Sequence, residues 1–302
     1  MAFYLMGDYI REQRERLGVT QEDLCEGICS PGTLSKIENG RQSVRLNQYI
    51  ALMERLGLPV QPIGVQVTEE EMEWYRLKSK IQYTTALDNW NIEKELQELE
   101  NIAKKHTNGE KQFIMFNRAV VNMKKGEDID KVIDMLSEAM RITYPQFDIS
   151  KTASVKLLTM DEMLIISNIA IALNSKGSVL DAIKWGTFLK EYMENDRLEY
   201  DGVGRLYPLV VFNLSNWVGS YNRYEEALQL CNIGIEYCNE HGKLNMYTEL
   251  LYNKSKYLFE LKKDEEAKKY MLYAYCIATV RNHKKTQKKA EKCLTELNIP
   301  FR

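Results

Sequence analysis

Between residues 7 and 56, apolar positions fall in short clusters at helical spacing, each opened by a capping residue or closed by glycine. The spacing predicts a first helix over about Gly7–Leu17, with Ile10 and Leu17 inward and Gly18 ending it in the left-handed conformation glycine tolerates. Thr20 caps a second helix, with Asp23 three residues on in an approximate capping box, and Leu24 and Ile28 turn to the core. Ser30-Pro31 opens a third: a hydroxyl cap, then proline where a missing N–H costs nothing. Leu34 and Ile37 are its inner face, and Asn39-Gly40 stops it. A fourth helix, about Leu46–Leu56, buries Leu46, Ile50, Met53 and Leu56. The segment "GLPVQPIGVQVT" at 57–68 is rich in proline and glycine for a chain with few of either, and marks a linker.

Beyond it the pattern is amphipathic and helical, broken only by short polar turns. The predicted spans are 69–86, 89–106, 110–124, 128–143, 160–176, 178–194, 205–220, 222–240, 245–261 and 264–281, with a capping helix at 284–297; "DGVGR" at 201–205 reads as a loop. Three stretches align without gaps: "ISNIAIALNSKGSVLDAIKWG", "VFNLSNWVGSYNRYEEALQLC" and "LYNKSKYLFELKKDEEAKKYM". Each has an asparagine followed 14 residues later by alanine (Asn168/Ala182, Asn213/Ala227, Asn253/Ala267), with a small residue two after the asparagine (Ala170, Ser215, Ser255). Small residues mark where paired helices cross closely. "MFNRAVV" at 115–121 repeats the phrase around Asn117 without the alanine.

Composition narrows the class. The chain has 302 residues, 44% hydrophobic and 28% charged, with Gly 16 and Pro 6, as expected of a globular, helix-rich protein of about two domains. A net charge of -2 gives no global attraction to nucleic acid or anionic lipid, so any such binding needs a local patch. The longest uncharged run, Leu206–Asn222, is too polar and too short to span a membrane, and the N-terminus reaches Asp8 and Arg11 without the apolar core of a signal peptide. The six cysteines form no CxxC, which fits reduced thiols and a cytoplasmic location; Cys25 and Cys29 read as packing.

Two short helices joined by a few residues have the layout of a helix-turn-helix. "VTQEDLCEGICSPGTLSKIENGRQS" resembles that of the phage-repressor (XRE/Cro) superfamily through Gln21, Leu24, the Leu34–Ile37 pair and Glu38-Asn39-Gly40. Its wording is similar to that of the RNPP group of peptide-pheromone-responsive regulators. The resemblance implies that residues 1–57 bind double-stranded DNA, with the third helix in the major groove, and that Arg14 and Glu38 form a structural ion pair. Gln21 stands at a helix N-terminus, where free N–H groups favour a phosphate. Ser30, Gly32, Thr33, Ser35 and Lys36 form the outward, base-facing set, and Arg41 and Arg45 are backbone contacts. Residues 1–56 hold seven Lys/Arg against eight Asp/Glu, so one copy binds weakly, and a homodimer on a palindromic operator is expected.

The paired helices of 69–302 resemble tetratricopeptide repeats, with Ala182, Ala227 and Ala267 at the small position of the second helix. The expected fold is all-α: the helix-turn-helix domain, a linker at 58–68, then a right-handed superhelix of tetratricopeptide-like repeats ending in a capping helix. First helices line its concave wall. The helical spacing puts Phe116, Asn117, Val120, Ser167, Asn168, Ile171, Asn174, Phe212, Asn213, Asn216, Tyr252, Asn253 and Lys256 there. Amides that both donate and accept can hold the backbone of an extended peptide, while Lys256 can receive a carboxylate. In the RNPP group, asparagines at this place hold the signalling peptide. That role carries to Asn168 and Asn213 first, then Asn253, then Asn117.

No metal, cofactor or catalytic motif is found, and His106, His241 and His283 lie far apart, so an enzyme is not expected. The basic stretch "RNHKKTQKKAEK" at 281–292 reads as a solvated face. The expected function is a peptide-controlled transcription regulator. The competing readings are a regulator whose repeats bind a protein partner or only dimerise, and a repeat scaffold with a vestigial helix-turn-helix.

Overall fold

The computed structural model describes residues 6–60, 68–86, 89–102, 107–152, 157–194, 201–242, 244, 246–296 and 299–300. His106 and linker residues 61–67 lie outside them. The described residues form fifteen helices, α1 to α15, and no strands, in two compact units.

The first unit holds α1 (Met6–Arg16), α2 (Gln21–Cys25), α3 (Pro31–Glu38), α4 (Leu46–Arg55), α5 (Glu69–Ala86), α6 (Glu93–Ile102), α7 (Asn108–Lys125), α8 (Ile129–Thr143) and α9 (Met160–Lys176). The caps form as the sequence dictates. Thr20 Oγ1 accepts the Asp23 N–H at 3.0 Å, and Ser30 Oγ accepts the Thr33 N–H at 3.1 Å with Pro31 at the first helical position. Ile10, Leu24, Leu34, Ile37, Leu52, Met53 and Leu56 pack as one core, joined by Tyr49; Ile50 is only partly buried. α1 crosses the end of α3 at Gly7, where a Cβ would stand 1.8 Å from the Ile37 carbonyl oxygen. The helix-turn-helix is packed in the same unit as α5–α9. α6 starts later than expected because Asn89 folds back: its Oδ1 accepts the Asn91 N–H at 3.1 Å, and the helix begins only at Glu93.

The second unit holds α10 (Val179–Met193), α11 (Asp201–Gly219), α12 (Tyr224–Glu240), α13 (Tyr247–Glu260), α14 (Asp264–Val280) and α15 (Lys284–Glu296). α11 starts at Asp201, so the expected loop at 201–205 is helix instead. Burial of Val203 beside Leu206 outweighs the cost of two helical glycines. α11/α12 and α13/α14 are repeat hairpins. Ser215, Ser255, Ala227 and Ala267 are fully buried at the crossings, and Ser255 Oγ donates to the Ala267 carbonyl at 2.6 Å. α15 packs Ala290 and Leu294 on Met271 and turns its lysines outward.

The repeats keep one register across both units. Gly126, Gly177, Asn222 and Lys262 all have positive φ (78°, 95°, 59° and 59°), and each lies nine residues after an asparagine of the aligned set: Asn117, Asn168, Asn213 and Asn253. The left-handed turn between paired helices is therefore a fixed feature of the repeat, even where lysine must adopt it.

Candidate functional site

The end of α3 is fixed by a buried carboxylate. Glu38 accepts Arg14 Nε at 2.7 Å and Arg14 Nη2 at 2.9 Å, a bidentate pair joining α1 to α3. Gln21 Nε2 donates to the same Glu38 at 2.6 Å, so this amide ties α2 into the pair rather than standing free at the helix start. Arg14 also reaches the Val19 carbonyl at 3.1 Å. One glutamate thus sets the angle between the three helices.

That angle presents α3. Gly32 and Lys36 are exposed on its outer face, and Thr33 and Ser35 are half-buried beside them. Ser30 is exposed, but its hydroxyl serves the helix cap and Thr33 Oγ1. Arg41 and Arg45 are exposed just past the helix. Lys36, Arg41 and Arg45 have no carboxylate partner among the described residues. The face is a donor-rich strip in a domain whose other charges are mostly acidic, four Lys/Arg against eight Asp/Glu over residues 1–56.

The residues expected to hold a ligand are only partly accessible. Asn117, Ser167 and Asn253 are 3%, 4% and 4% exposed. Asn253 Nδ2 donates to Ser215 Oγ at 3.2 Å, locking one repeat to the preceding one, and Asn117 Nδ2 bonds back to the Phe113 carbonyl at 2.8 Å. The partner of Asn253 lies 38 residues away, so its role was not visible in the repeat pattern. Asn168, Ile171 and Asn174 on α9, Phe212, Asn213 and Asn216 on α11, and Tyr252 on α13 are half-buried, and Lys256 is exposed. Asn168 and Asn216 spend an N–H on carbonyls four residues back, Leu164 at 2.8 Å and Phe212 at 2.9 Å, which fixes their rotamers. Asn213 has no hydrogen-bond partner among the described residues.

A cluster that the sequence did not announce joins the helix-turn-helix to the repeats. Arg55, the last residue of α4, is fully buried and donates to Glu162 Oε1 of α9 at 2.9 Å, to the Leu24 carbonyl at 3.3 Å and to the Glu26 carbonyl. Its guanidinium lies 5.2 Å from the centre of the Tyr144 ring. Glu162, also fully buried, accepts Thr143 Oγ1 at 2.6 Å and the Thr159 N–H at 2.7 Å, and Gln112 holds Thr143 in turn. Next to it, Lys78 pairs with Asp161 at 2.7 Å and lies over the Phe113 ring. A cavity of about 70 Å³ opens here, lined among others by Glu54, Lys78, Gln112, Thr159 and Asp161.

Glu54 sits in that cavity, accepting the Met160 N–H at 3.0 Å. Burial, reinforced by the neighbouring Asp161 and Glu162 carboxylates and opposed by Lys78, pushes its carboxyl up from 4.5 to about 7. Glu110 also lines the cavity. Folding therefore favours the protonated acid. That contribution is complete below about pH 4.5 and is lost as pH rises through about 7. Glu54→Gln keeps an acceptor for Met160 and removes the charge. It is expected to raise stability at pH 8 by on the order of 1–3 kcal/mol and to change little at pH 4.5. Urea midpoints at the two pH values decide it; an equal effect at both would show that the charge is not the cause.

Burial pushes the Cys29 and Cys238 thiols up to about 11 and Cys231 up to about 12, which keeps them protonated and unreactive. Among the described residues there is no cluster that could hold a metal ion, and no helix long and apolar enough to cross a membrane.

Residues 5–63 match a family model described as a helix-turn-helix domain. The chain is thus an all-α protein in which a helix-turn-helix domain is followed by tetratricopeptide-like repeats, the architecture expected from its sequence. Its fold is similar to that of PlcR. The crystal structure of Bacillus thuringiensis PlcR in complex with the peptide PapR7 and DNA matches with a TM-score of 0.60 and 19% identity, over 94% of this chain and 98% of that one. The apo form of PlcR matches with a TM-score of 0.60 and 16% identity, over 95% and 98%. The Streptococcus dysgalactiae SHP pheromone receptor Rgg2 gives 0.47 and 15%, over 96% and 99%. No curated protein matches the chain by sequence.

Proposed function

We propose that this protein is a DNA-binding transcription regulator controlled by a short linear peptide. The observation that carries the reading is the outer face of α3: Thr33, Ser35 and Lys36 stand at the surface, free of acidic partners, on a helix whose angle is fixed from behind by Arg14, Gln21 and Glu38. A helix so presented suits the major groove, with Arg41 and Arg45 on the phosphates. PlcR, whose fold this chain shares over nearly its whole length, was solved with both a peptide and DNA, which supports the same pair of ligands here. Two copies on a palindrome supply the affinity that one near-neutral domain lacks. Such a regulator works in the cytoplasm.

The peptide-binding role goes to the accessible members of the expected set: Asn168, Ile171 and Asn174 on α9 of the first unit, and Phe212, Asn213 and Asn216 on α11 with Tyr252 and Lys256 on α13 of the second. Asn117, Ser167 and Asn253 are buried and drop out of the contact set. Each amide of Asn168 and Asn213 is worth about 0.5–1.5 kcal/mol to a bound peptide backbone. Asn168→Ala with Asn213→Ala is expected to weaken binding by roughly 5- to 150-fold. Calorimetric titration with short synthetic peptides encoded beside the gene measures this. Unchanged binding by the double variant would remove the amide ladder from the mechanism, and the absence of binding to any candidate would direct the search to a protein partner.

A further inference from the structure

α9 meets the DNA-reading domain at one end and carries proposed peptide contacts along its length. In its first turn, the Met160 N–H is held by Glu54, Asp161 by Lys78 and Glu162 by Arg55. Arg55 in turn grips the carbonyls of Leu24 and Glu26, the end of α2 where the chain turns toward α3. At Gly27 (φ +69°) that turn lies directly on Thr143, whose carbonyl oxygen would be 2.2 Å from an added Cβ; the Thr143 hydroxyl is itself bonded to Glu162. Asn168, Ile171 and Asn174 stand six, nine and twelve residues beyond Glu162 on the same helix, roughly 9–18 Å away at the helical rise. No glycine or proline interrupts α9, so it moves as a rod.

Resting on the peptide-and-DNA reading above, we propose that α9 is the transmission element. Peptide contacts at Asn168–Asn174 shift its first turn, and the Arg55–Glu162 pair passes that shift to the α2–α3 turn, re-aiming α3. A pair with both side chains buried can carry such a shift, because breaking it leaves a charge in the interior without its partner. The coupling is reciprocal, so DNA held by α3 must be felt in α9.

This permits a test that needs no peptide. The probe is a DNA duplex selected from a random pool by the full-length protein, and the readout is amide hydrogen exchange with and without it. In the wild type the duplex is expected to slow exchange in α3 and also in α9, by about fivefold or more in α9, the lower end of ordinary coupling between sites. In Arg55→Met/Glu162→Met, which replaces the pair with side chains of similar bulk, α3 should still be protected and the α9 response lost. Thr143→Val, which leaves the ion pair in place, should give a smaller α9 response than the wild type and keeps the test open if the double variant does not fold. Protection of α3 without any change in wild-type α9, or an α9 response as large in the double variant, overturns the transmission role and leaves the DNA reading standing. If no duplex protects α3, the DNA reading itself fails, and the transmission role falls with it.

Discussion

Glu162→Ala is expected to destabilise the first unit by about 3–5 kcal/mol, the usual cost of leaving one member of a buried ion pair without the other. Arg55 and Glu162 are both fully buried, so the variant leaves a guanidinium in the interior without its carboxylate. Its remaining partners would be the Leu24 and Glu26 carbonyls and the Tyr144 ring, which solvate a cation poorly. Thr143 Oγ1 and the Thr159 N–H would lose their acceptor as well. At about 2–4 °C per kcal/mol for a unit of this size, the melting temperature of the variant should fall by roughly 6–20 °C. By contrast, Arg55→Met/Glu162→Met removes both charges and should cost far less, since well-packed apolar replacements of buried pairs are often neutral or better. Differential scanning calorimetry on the three proteins compares them. If Glu162→Ala melts within about 2 °C of the wild type, water reaches the pair, and it is not the rigid tie described here.

How legible was this in the sequence? The helix-turn-helix domain was legible because its signals are local. Ser30-Pro31, Thr20 with Asp23, and Gly18 each act within a few residues, and each forms the cap or stop it predicts. The repeat register was legible because its period is written in asparagine and alanine, and the left-handed turns keep the same period. The Arg55–Glu162 pair was not. Arg55 closes a helix and Glu162 opens one, where a cation and an anion each suit the helix dipole. Each residue thus had a sufficient local explanation, and nothing pointed to a partner 107 residues away. The wall residues failed for a related reason. Helical spacing tells which side a residue faces, but the same side turns inward where the next repeat covers it, as Ser215 shows for Asn253.

The same distinction between position and partner decides what α3 should do on DNA. Lys36 lies on the helix itself, one turn after Thr33, where in the proposed docking a side chain would reach base edges; Arg41 and Arg45 lie beyond the helix end, where one would reach phosphates. Lys36→Ala is expected to lower affinity for the selected duplex by about 1–3 kcal/mol, roughly 5- to 150-fold, and to relax the preference at one base pair in each half-site. Arg41→Ala should weaken all sequences about equally and reduce the slope of log affinity against log salt by about one for each copy bound. Neither change touches the Arg14–Gln21–Glu38 lock, so both variants should melt as the wild type does. Glu38→Gln tests the opposite case: it leaves every exposed donor in place, loosens the angle of α3, and should therefore lower both stability and affinity. Fluorescence anisotropy across a salt series, with the duplex varied at single positions, separates the three outcomes. Affinity for the selected duplex that survives Lys36→Ala and Arg41→Ala combined would move the DNA-binding surface off α3 altogether.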